Sequence, residues 1–258
     1  MRTPVIAGNW KMFKNRDEAV RFAYDVCDKL PSKDLVETVV CAPALWLRCL
    51  IKRQGENLRI GAQNLYPVDE GAFTGEVSAY MLESINVEYS IIGHSERRKY
   101  FNETDELVNQ KVLAALKHNI KPIVCVGESK DEEEKGLTTA VLEKQISKAF
   151  EGVDASDVAN IIVAYEPVWA IGTGAKPATP EIAEASCKAI RKVIAKLYSD
   201  DLAQKVRILY GGSANKTNFN NYISQEDVDG VLLGRASLSS EDYLELVNLG
   251  LNYVKSTK

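Results

Sequence analysis

Residues 161–174 read IIVAYEPVWAIGTG and contain a strand signal followed by a glycine-rich loop. The run Ile161–Glu166 is apolar until its last residue, a carboxylate, which is typical of a buried strand that ends at the edge of a sheet. Pro167 then fixes the chain direction, and the glycines allow backbone N–H groups to approach a ligand closely. The pattern indicates a catalytic base beside a mobile flap. Taken alone, a strand-to-loop corner with a solvent-facing Glu166 is the alternative.

Seven further short, β-branched runs resemble this strand, and longer amphipathic stretches separate them. The short runs lack strict alternation, as strands buried on both faces do. Eight β/α units in about 250 residues predict an α/β fold of the (β/α)8 class, a closed barrel of eight parallel strands with outer helices. A doubly wound open sheet is the alternative, but no GxGxxG follows the first run. The predicted strands are Val5–Asn9, Thr38–Ala42, Arg59–Gln63, Tyr89–Gly93, Pro122–Gly127, Ile161–Glu166, Arg207–Tyr210 and Gly230–Gly234.

Between the predicted strands, apolar residues recur with the spacing that is typical of amphipathic helices. The last begins with Thr179–Pro180–Glu181, which supplies an N-cap, a proline at the first helical position and an acidic first turn. No linker, low-complexity segment or long repeat divides the chain, so we expect a single domain over residues 1–258. The clearest helices are predicted over Asp17–Leu30, Leu45–Gln54, Asp105–His118, Thr138–Phe150 and Pro180–Tyr198.

Composition excludes several classes of protein. The net charge of −4 and the pI near 5.5 argue against a nucleic-acid-binding surface. No run of about 18 apolar residues occurs, so we expect no membrane insertion and a cytoplasmic location. The five cysteines form no CxxC pair and are predicted to be reduced thiols that mostly fill the core. With His94 and His118 as the two histidines, a metal site has few ligands, and no metal is predicted.

Unusual polar residues follow the predicted strands. Asn9 ends strand one and Lys11 lies just beyond it. His94 and Glu96 follow strand four, and Glu166 ends strand six. Strand three likewise ends in Gln63–Asn64. The carboxyl ends of the strands form the working face of such a barrel, so these side chains are expected to converge. Glu166 can remove a proton from carbon, His94 can donate a hydrogen bond to the adjacent oxygen, and Lys11 can neutralise negative charge.

Glycine-rich turns follow the last two strands, at Gly211–Gly212–Ser213 and at Gly234–Arg235–Ala236–Ser237. Such turns offer backbone N–H groups without side-chain obstruction, which is how a phosphate is held when no cluster of Arg and Lys is present. The substrate is therefore predicted to be a small phosphorylated molecule. No cofactor motif, GxSxG elbow or strand-end Schiff-base lysine occurs, which leaves proton abstraction next to a carbonyl, without a cofactor, as the predicted chemistry.

Four segments together resemble the signature segments of the triosephosphate isomerase family, and the resemblance extends from strand one to strand eight. It implies the TIM-barrel fold and the cofactor-free interconversion of dihydroxyacetone phosphate and D-glyceraldehyde 3-phosphate through an enediolate, in glycolysis and gluconeogenesis. The segments are Gly8–Asn9–Trp10–Lys11, Ile92–Gly93–His94–Ser95–Glu96–Arg97–Arg98, Ala164 to Gly174, and Tyr210–Gly211–Gly212–Ser213.

The resemblance also implies roles for single residues. Glu166 would move a proton between C1 and C2 of the triose phosphate. His94 would be a neutral electrophile, because a helix that begins near Ser95 would direct its positive end at the imidazole and disfavour the imidazolium. Asn9 and Lys11 would bind substrate oxygens, and Lys11 would also serve the phosphate.

Further implied roles concern positioning, the phosphate and a lid. Glu96 would position Lys11 and His94, although the sequence alone leaves it open as a surface helix residue. The lid would close to exclude water. The phosphate would rest on the backbone N–H groups of Gly172, Ser213, Gly234 and Arg235. The implied lid consists of Pro167, Val168, Trp169, Ala170, Ile171, Gly172, Thr173, Gly174, Ala175 and Lys176.

The segment from Gln63 to Glu76 resembles the long third loop of the family, whose tip enters a second subunit, and a homodimer is implied. The tip consists of Phe73, Thr74 and Gly75. Without the resemblance this polar loop would be interpreted as a mobile surface loop. Cys125 matches a cysteine of the family at the end of strand five, where core packing explains it, and it is not assigned to the site.

Two departures from the family pattern affect details rather than the reaction. Arg235 replaces one glycine of a Gly-Gly pair, and the stretch Ala175–Thr179 is one residue longer than the usual second hinge of the lid. Two alternative functions stay open. A non-catalytic barrel could bind a sugar phosphate or a protein, although the presence of Glu166, His94 and Lys11 together argues against it. The second alternative is an isomerase of another phosphorylated sugar, although the bulky lid residues favour a three-carbon substrate.

Overall fold

The computed structural model describes residues 2–172 and 174–257. At its centre, eight parallel strands form a closed barrel in which each strand pairs with its sequence neighbour and the last pairs with the first. The predicted (β/α)8 class is confirmed. The strands are β1 Val5–Asn9, β2 Glu37–Ala42, β3 Leu58–Ala62, β4 Tyr89–Ile92, β5 Lys121–Val126, β6 Ile162–Tyr165, β7 Arg207–Tyr210 and β8 Gly230–Leu233.

The strands are buried on both faces, which explains why their sequences do not alternate. Val5 and Ala7 of β1 belong to a cluster inside the barrel, which also includes Ile91 of β4 and Leu209 of β7. Ile6, between the first two, belongs to the larger cluster formed with the helices. Because successive side chains of a strand point to opposite faces, apolar residues at every position supply both layers.

Helices surround the barrel. The start of the predicted helix Pro180–Tyr198 is confirmed. The Thr179 side chain accepts a hydrogen bond from the Ile182 N–H at 3.3 Å, and Pro180 is the first helical residue. The α-helices are α1 Arg16–Val26, α2 Ala44–Ile51, α3 Ala79–Glu83, α4 Ser95–Phe101, α5 Asp105–Lys117, α6 Lys130–Glu134, α7 Thr138–Ala149, α8 Pro180–Leu197, α9 Asp200–Ala203, α10 Phe219–Ile223 and α11 Ser240–Ser256. Short 3-10 helices cover Cys27–Lys29, Val158–Asn160, Val168–Ala170 and Arg235–Ser237.

Several predicted boundaries were wrong by a few residues. The first helix was predicted to reach Leu30, but α1 ends at Val26 and the chain continues as a 3-10 turn over Cys27–Lys29. Five strands end one residue before their predicted ends, because that residue already turns into the loop. At Gly93, for example, φ is +71°, outside the extended region. This early departure directs the following polar residues towards the end of the barrel.

The remaining chain-wide features concern cysteines and membranes. All five cysteines are free thiols, and Cys41, Cys125 and Cys187 are buried, as predicted. Over residues 2–172 and 174–257, no helix combines the length and the apolar character needed to cross a membrane.

Candidate active site

A cavity of about 520 Å³ lies at the carboxyl ends of the strands. The loops after β1, β4 and β6 contribute polar side chains to it, and the turns after β7 and β8 contribute glycines. All five side chains predicted for proton transfer and positioning line this cavity, namely Asn9, Lys11, His94, Glu96 and Glu166. The strand ends therefore bring together residues that lie up to 157 positions apart, between Asn9 and Glu166.

Glu166 directly follows β6 and is 2% exposed. Its Oε1 lies 2.8 Å from Nε2 of His94, and its Oε2 accepts a hydrogen bond from the backbone N–H of Ser95 at 2.9 Å. Both carboxylate oxygens are therefore engaged by the loop after β4. The backbone fits closely here, since a Cβ on Gly127 would overlap the Glu166 carbonyl oxygen and one on Gly211 would lie 2.9 Å from Glu166 Cγ.

His94 is the N-cap of α4, and this position determines where its protons lie. Its Nδ1 accepts a hydrogen bond from the backbone N–H of Glu96 at 3.2 Å, so Nδ1 carries a lone pair rather than a proton. The proton of the neutral ring is then on Nε2, which faces Glu166. The helix start thus selects the tautomer that presents an N–H group to the cavity.

The contact between the two side chains changes both pKa values. Burial favours the neutral acid of Glu166, yet His94 and the Ser95 N–H together hold the pKa of Glu166 below its usual range. Burial likewise opposes the charged form of His94, but the charge of Glu166 raises the pKa of His94 above its usual value. The helix end alone was expected to favour the neutral imidazole. In this arrangement the adjacent carboxylate outweighs that effect.

Lys11 adopts a backbone conformation that is unusual for a residue with a side chain. Its φ is +53°, and its backbone N–H donates to Asn9 Oδ1 at 2.9 Å while its carbonyl accepts from Gln63 Nε2 at 2.8 Å. These bonds hold a left-handed conformation that carries a steric cost. Lys11 Nζ forms an ion pair with Glu96 Oε1 at 2.6 Å, so the ammonium group is fixed within the cavity.

The four predicted phosphate-binding residues, Gly172, Ser213, Gly234 and Arg235, also line the cavity. Gly172 has a φ of +111°, a conformation that residues with side chains rarely adopt. Arg235 is the first residue of a 3-10 helix, and its side chain is exposed. The Ser213 hydroxyl donates to the carbonyl of Ala170 at 3.1 Å, which joins the turn after β7 to the predicted lid.

The start of the predicted lid forms a 3-10 turn, Val168–Ala170, which is held by Glu128. The Trp169 Nε1–H donates to Glu128 Oε1 at 2.7 Å, the Tyr165 hydroxyl donates to the same oxygen at 3.0 Å, and the Val168 N–H donates to the Glu128 carbonyl at 3.1 Å. Burial raises the pKa of Glu128, which is fully inaccessible to solvent. Thr173, one of the predicted lid residues, lies outside the described residues.

The loop predicted to join a second subunit lies outside the cavity. Phe73, Thr74 and Gly75 are exposed, and the Phe73 ring packs on Tyr66 with their centroids 4.5 Å apart. Among the described residues, no group of three or more His, Cys, Asp and Glu side chains is arranged to hold a metal ion. His118 lies in a separate cluster, where its two ring nitrogens contact carboxylates.

Three residues near the site were not assigned to it from the sequence. Gln63 bonds the Lys11 carbonyl, and Glu128 holds Trp169. Cys125 is buried, and burial together with the charge of Glu166 raises the pKa of its thiol. Gln63 and Glu128 both follow strand ends. The rule that selected Asn9 and His94 therefore applies to them as well.

Comparison with known protein families places the chain clearly. A family model described as triosephosphate isomerase matches residues 4–250. The chain is 49% identical over 249 residues to "Triosephosphate isomerase" of Lactiplantibacillus plantarum, covering 96% of this chain and 98% of that protein. It is 49% identical over 251 residues to the protein of the same name from Carboxydothermus hydrogenoformans, covering 96% and 98%. For the one from Alkaliphilus oremlandii, identity is 49% over 249 residues, covering 96% and 100%. The chain therefore belongs to the triosephosphate isomerase family.

Proposed function

We propose that the chain interconverts dihydroxyacetone phosphate and D-glyceraldehyde 3-phosphate by proton transfer through an enediolate, without a cofactor. Membership in the family makes the chain an aldose–ketose isomerase whose substrate is a triose phosphate. One observation carries the assignment of the chemistry to particular residues. Glu166 Oε1 and His94 Nε2 lie 2.8 Å apart in a cavity that glycine-rich turns also line.

Glu166 is the base in this proposal. Its lowered pKa keeps the carboxylate ionised near neutral pH, as a general base requires. Because both of its oxygens contact the loop after β4, Glu166 has to release His94 and Ser95 before an oxygen can reach a substrate carbon. It then takes a proton from one carbon and returns it to the neighbouring carbon.

His94 acts as the hydrogen-bond donor to the oxygens of the enediolate. Its Nε2–H is the available proton, since Nδ1 accepts from the Glu96 N–H. When Glu166 moves to the substrate, the negative charge that raises the pKa of His94 moves with it. The imidazole then donates as a neutral group, whose weak acidity suits an enediolate.

Lys11 and Asn9 bind substrate oxygens. The Asn9 Oδ1 is occupied by the Lys11 N–H, so the NH2 group of its amide is the part that can donate to substrate. The ion pair with Glu96 holds the Lys11 ammonium group where it can offset the charge of the enediolate and the phosphate.

The phosphate rests on backbone N–H groups of Gly172, Ser213, Gly234 and Arg235, and the lid over residues 167–176 closes on it. All four residues line the cavity, which supports this assignment. Closure removes water around the reacting carbons and strengthens the interactions of Lys11 and His94 with the developing charge.

The chain is further proposed to form one domain over residues 1–258 and to act as a cytoplasmic homodimer. Large apolar side chains are exposed after four neighbouring strands: Met12 at 94% after β1, Leu45 at 80% after β2, Phe73 at 41% after β3 and Tyr100 at 65% after β4. All four follow consecutive strands of the barrel. An exposed apolar surface of this kind is typical of a subunit interface. The five free thiols fit a reducing compartment.

A coupled assay of glyceraldehyde 3-phosphate conversion by the purified protein, without added metal, tests the proposed function. We expect dihydroxyacetone phosphate to form at a rate proportional to the concentration of the chain. Binding of the triose phosphate without turnover would favour a non-catalytic barrel. Turnover of a longer phosphorylated sugar, with none of the triose, would favour an isomerase of another substrate.

A further inference from the structure

Two tyrosines hold the residue that follows the lid. The backbone N–H of Ala178 donates to the Tyr210 hydroxyl oxygen at 3.1 Å, and the Tyr222 hydroxyl donates to the carbonyl of Ala178 at 2.6 Å. Ala178 is 2% exposed, so side chains rather than water satisfy both of its backbone groups. One tyrosine comes from β7 and the other from α10.

The two tyrosine rings also contact each other. The rings are stacked with centroids 4.1 Å apart and an interplanar angle of 19°. Burial raises the pKa of both hydroxyl groups, so each stays protonated and able to donate a hydrogen bond. A cycle of contacts therefore runs from the Ala178 N–H to the Tyr210 hydroxyl, across the stacked rings to Tyr222, and from the Tyr222 hydroxyl back to the Ala178 carbonyl.

This cycle joins the lid to the predicted phosphate turn. A Cβ on Gly212 would overlap the Tyr210 hydroxyl, so the turn after β7 lies directly against the cycle. Ser213 of the same turn bonds the Ala170 carbonyl at 3.1 Å. The segment between Ala170 and Ala178 is thus held at both ends by groups that touch one turn. Its described glycines, Gly172 and Gly174, are exposed and have left-handed φ values.

We propose that Tyr222 is a positioning residue that fixes the C-terminal end of the lid through the carbonyl of Ala178. The inference rests on the proposed function, because the lid acts by closing over the bound triose phosphate. Without the Tyr222 hydroxyl, the Ala178 carbonyl loses its hydrogen-bond partner. The lid end then gains freedom that each closure has to remove.

The loss should affect the Michaelis constant more than the turnover number. A looser lid end destabilises the closed complex with substrate and the closed transition state to the same extent, because the chemistry takes place far from Tyr222. An interaction lost equally from both states raises KM and leaves kcat unchanged. A tyrosine that only supported the fold would lower the melting temperature and leave KM unchanged.

Tyr222→Phe removes the hydroxyl and keeps the ring, and Tyr198→Phe is the matched control. The Tyr198 hydroxyl also donates to backbone carbonyls, those of Phe150 at 3.1 Å and Val153 at 2.9 Å, and it does not line the cavity. We expect Tyr222→Phe to raise KM for glyceraldehyde 3-phosphate by about fivefold with kcat within about twofold, and Tyr198→Phe to keep both within about twofold. Unchanged KM in Tyr222→Phe, or an equal rise in the control, would overturn the proposal.

Hydrogen exchange in the unsubstituted protein tests the cycle even if Tyr222→Phe does not fold. The Ala178 amide should exchange as slowly as the amides of β7, whereas the amide of Ala175 should exchange at least about tenfold faster. Equal exchange at Ala178 and Ala175 would overturn the cycle. The two proposals fail differently. An inactive protein with a protected Ala178 amide contradicts the proposed function, and an active protein with an unprotected Ala178 amide contradicts the cycle of contacts through which Tyr222 is proposed to act.

Discussion

Glu166 Oε1 lies 2.8 Å from His94 Nε2, so the proposed base and the proposed hydrogen-bond donor contact each other directly. The carboxylate raises the pKa of the imidazole, and the imidazole lowers the pKa of the carboxylate, each acting against burial. Each group therefore sets the protonation state of the other while they remain in contact. In the proposed mechanism, movement of Glu166 to a substrate carbon would change the acid strength of His94 when His94 donates its hydrogen bond.

The first prediction concerns the pKa of His94. Glu166→Gln removes the charge that raises this pKa but keeps a side chain of the same size, so burial should then dominate and the pKa of His94 should fall. An NMR titration of the imidazole resonances in the parent and the variant measures the shift. Glu134→Gln, which removes a carboxylate that is 64% exposed, is the control and should leave the pKa of His94 unchanged. An equal or higher pKa in Glu166→Gln would contradict the assigned contact.

A second prediction concerns subunit assembly. Thr74 lies at the exposed tip of the loop after β3. If this tip enters a partner subunit, Thr74→Glu buries an unpaired carboxylate at the interface and should yield monomers with poor turnover. Light scattering and the coupled assay measure the two effects. Thr139→Glu, which adds a carboxylate at an exposed position in the first turn of α7, should remain dimeric and active. A fully active dimer of Thr74→Glu would exclude this interface.

Stability near neutral pH provides the third prediction. His118 Nδ1 lies 2.7 Å from Glu83 Oε2, and His118 Nε2 lies 2.8 Å from Asp69 Oδ1. Tyr80 and Lys117 also face this cluster, Tyr80 with its ring 5.9 Å from the imidazole and Lys117 through an ion pair with Asp69. Only the doubly protonated ring can donate to both carboxylates, and hydrogen bonding to Glu83 is the main cause that raises the pKa of His118.

Since the folded-state pKa is raised, the stabilisation by His118 is fully present below its unfolded-state pKa of about 6.5 and is lost as the pH rises through the folded-state value. His118→Gln should therefore lower the melting temperature more at pH values below about 6 than at pH values above about 8, where the parent has lost most of this contribution. Thermal unfolding of both proteins across this range measures the difference. A decrease in melting temperature that is the same at every pH, or larger at high pH, would contradict a charged His118 in the folded protein.

A fourth prediction is that activity does not depend on a divalent cation. In the proposed mechanism, the Lys11 ammonium group and the His94 Nε2–H stabilise the negative charge that a bound metal ion would otherwise stabilise. Prolonged treatment with a chelator, followed by gel filtration, should leave the turnover number unchanged. Loss of activity that a divalent cation restores would instead indicate a metal-dependent sugar isomerase.

The barrel could be predicted from the sequence because its signal is local. An apolar run such as Ile161–Ala164 shows burial on both faces within a few residues, and the polar residue after it marks the end of the strand. The exact last residue was harder to predict, since Gly93 and Glu166 are compatible with either the strand or the loop. At Gly93, the left-handed φ places the residue in the loop and not in the strand.

Contacts between distant parts of the chain could not be predicted in the same way. Gln63 reaches the Lys11 carbonyl across 52 positions, and Tyr222 reaches the Ala178 carbonyl across 44. Gln63 could be placed at a strand end and Tyr222 stands in no motif, but the atoms that each of them contacts depend on how the loops pack. The raised pKa of His94 has the same origin, because it depends on where the Glu166 side chain lies rather than on the residues next to His94.

Incorporation of solvent deuterium tests whether Glu166 carries the proton from one carbon to the next. A proton held on the Glu166 carboxylic acid exchanges with water, so dihydroxyacetone phosphate formed from glyceraldehyde 3-phosphate in deuterium oxide should carry deuterium at C1. In Glu166→Gln the turnover number should fall at least about a thousandfold, because no other group accepts the proton from carbon. Product that forms without any deuterium would contradict transfer through Glu166. Labelling and turnover that continue in Glu166→Gln within about tenfold of the parent would contradict it equally.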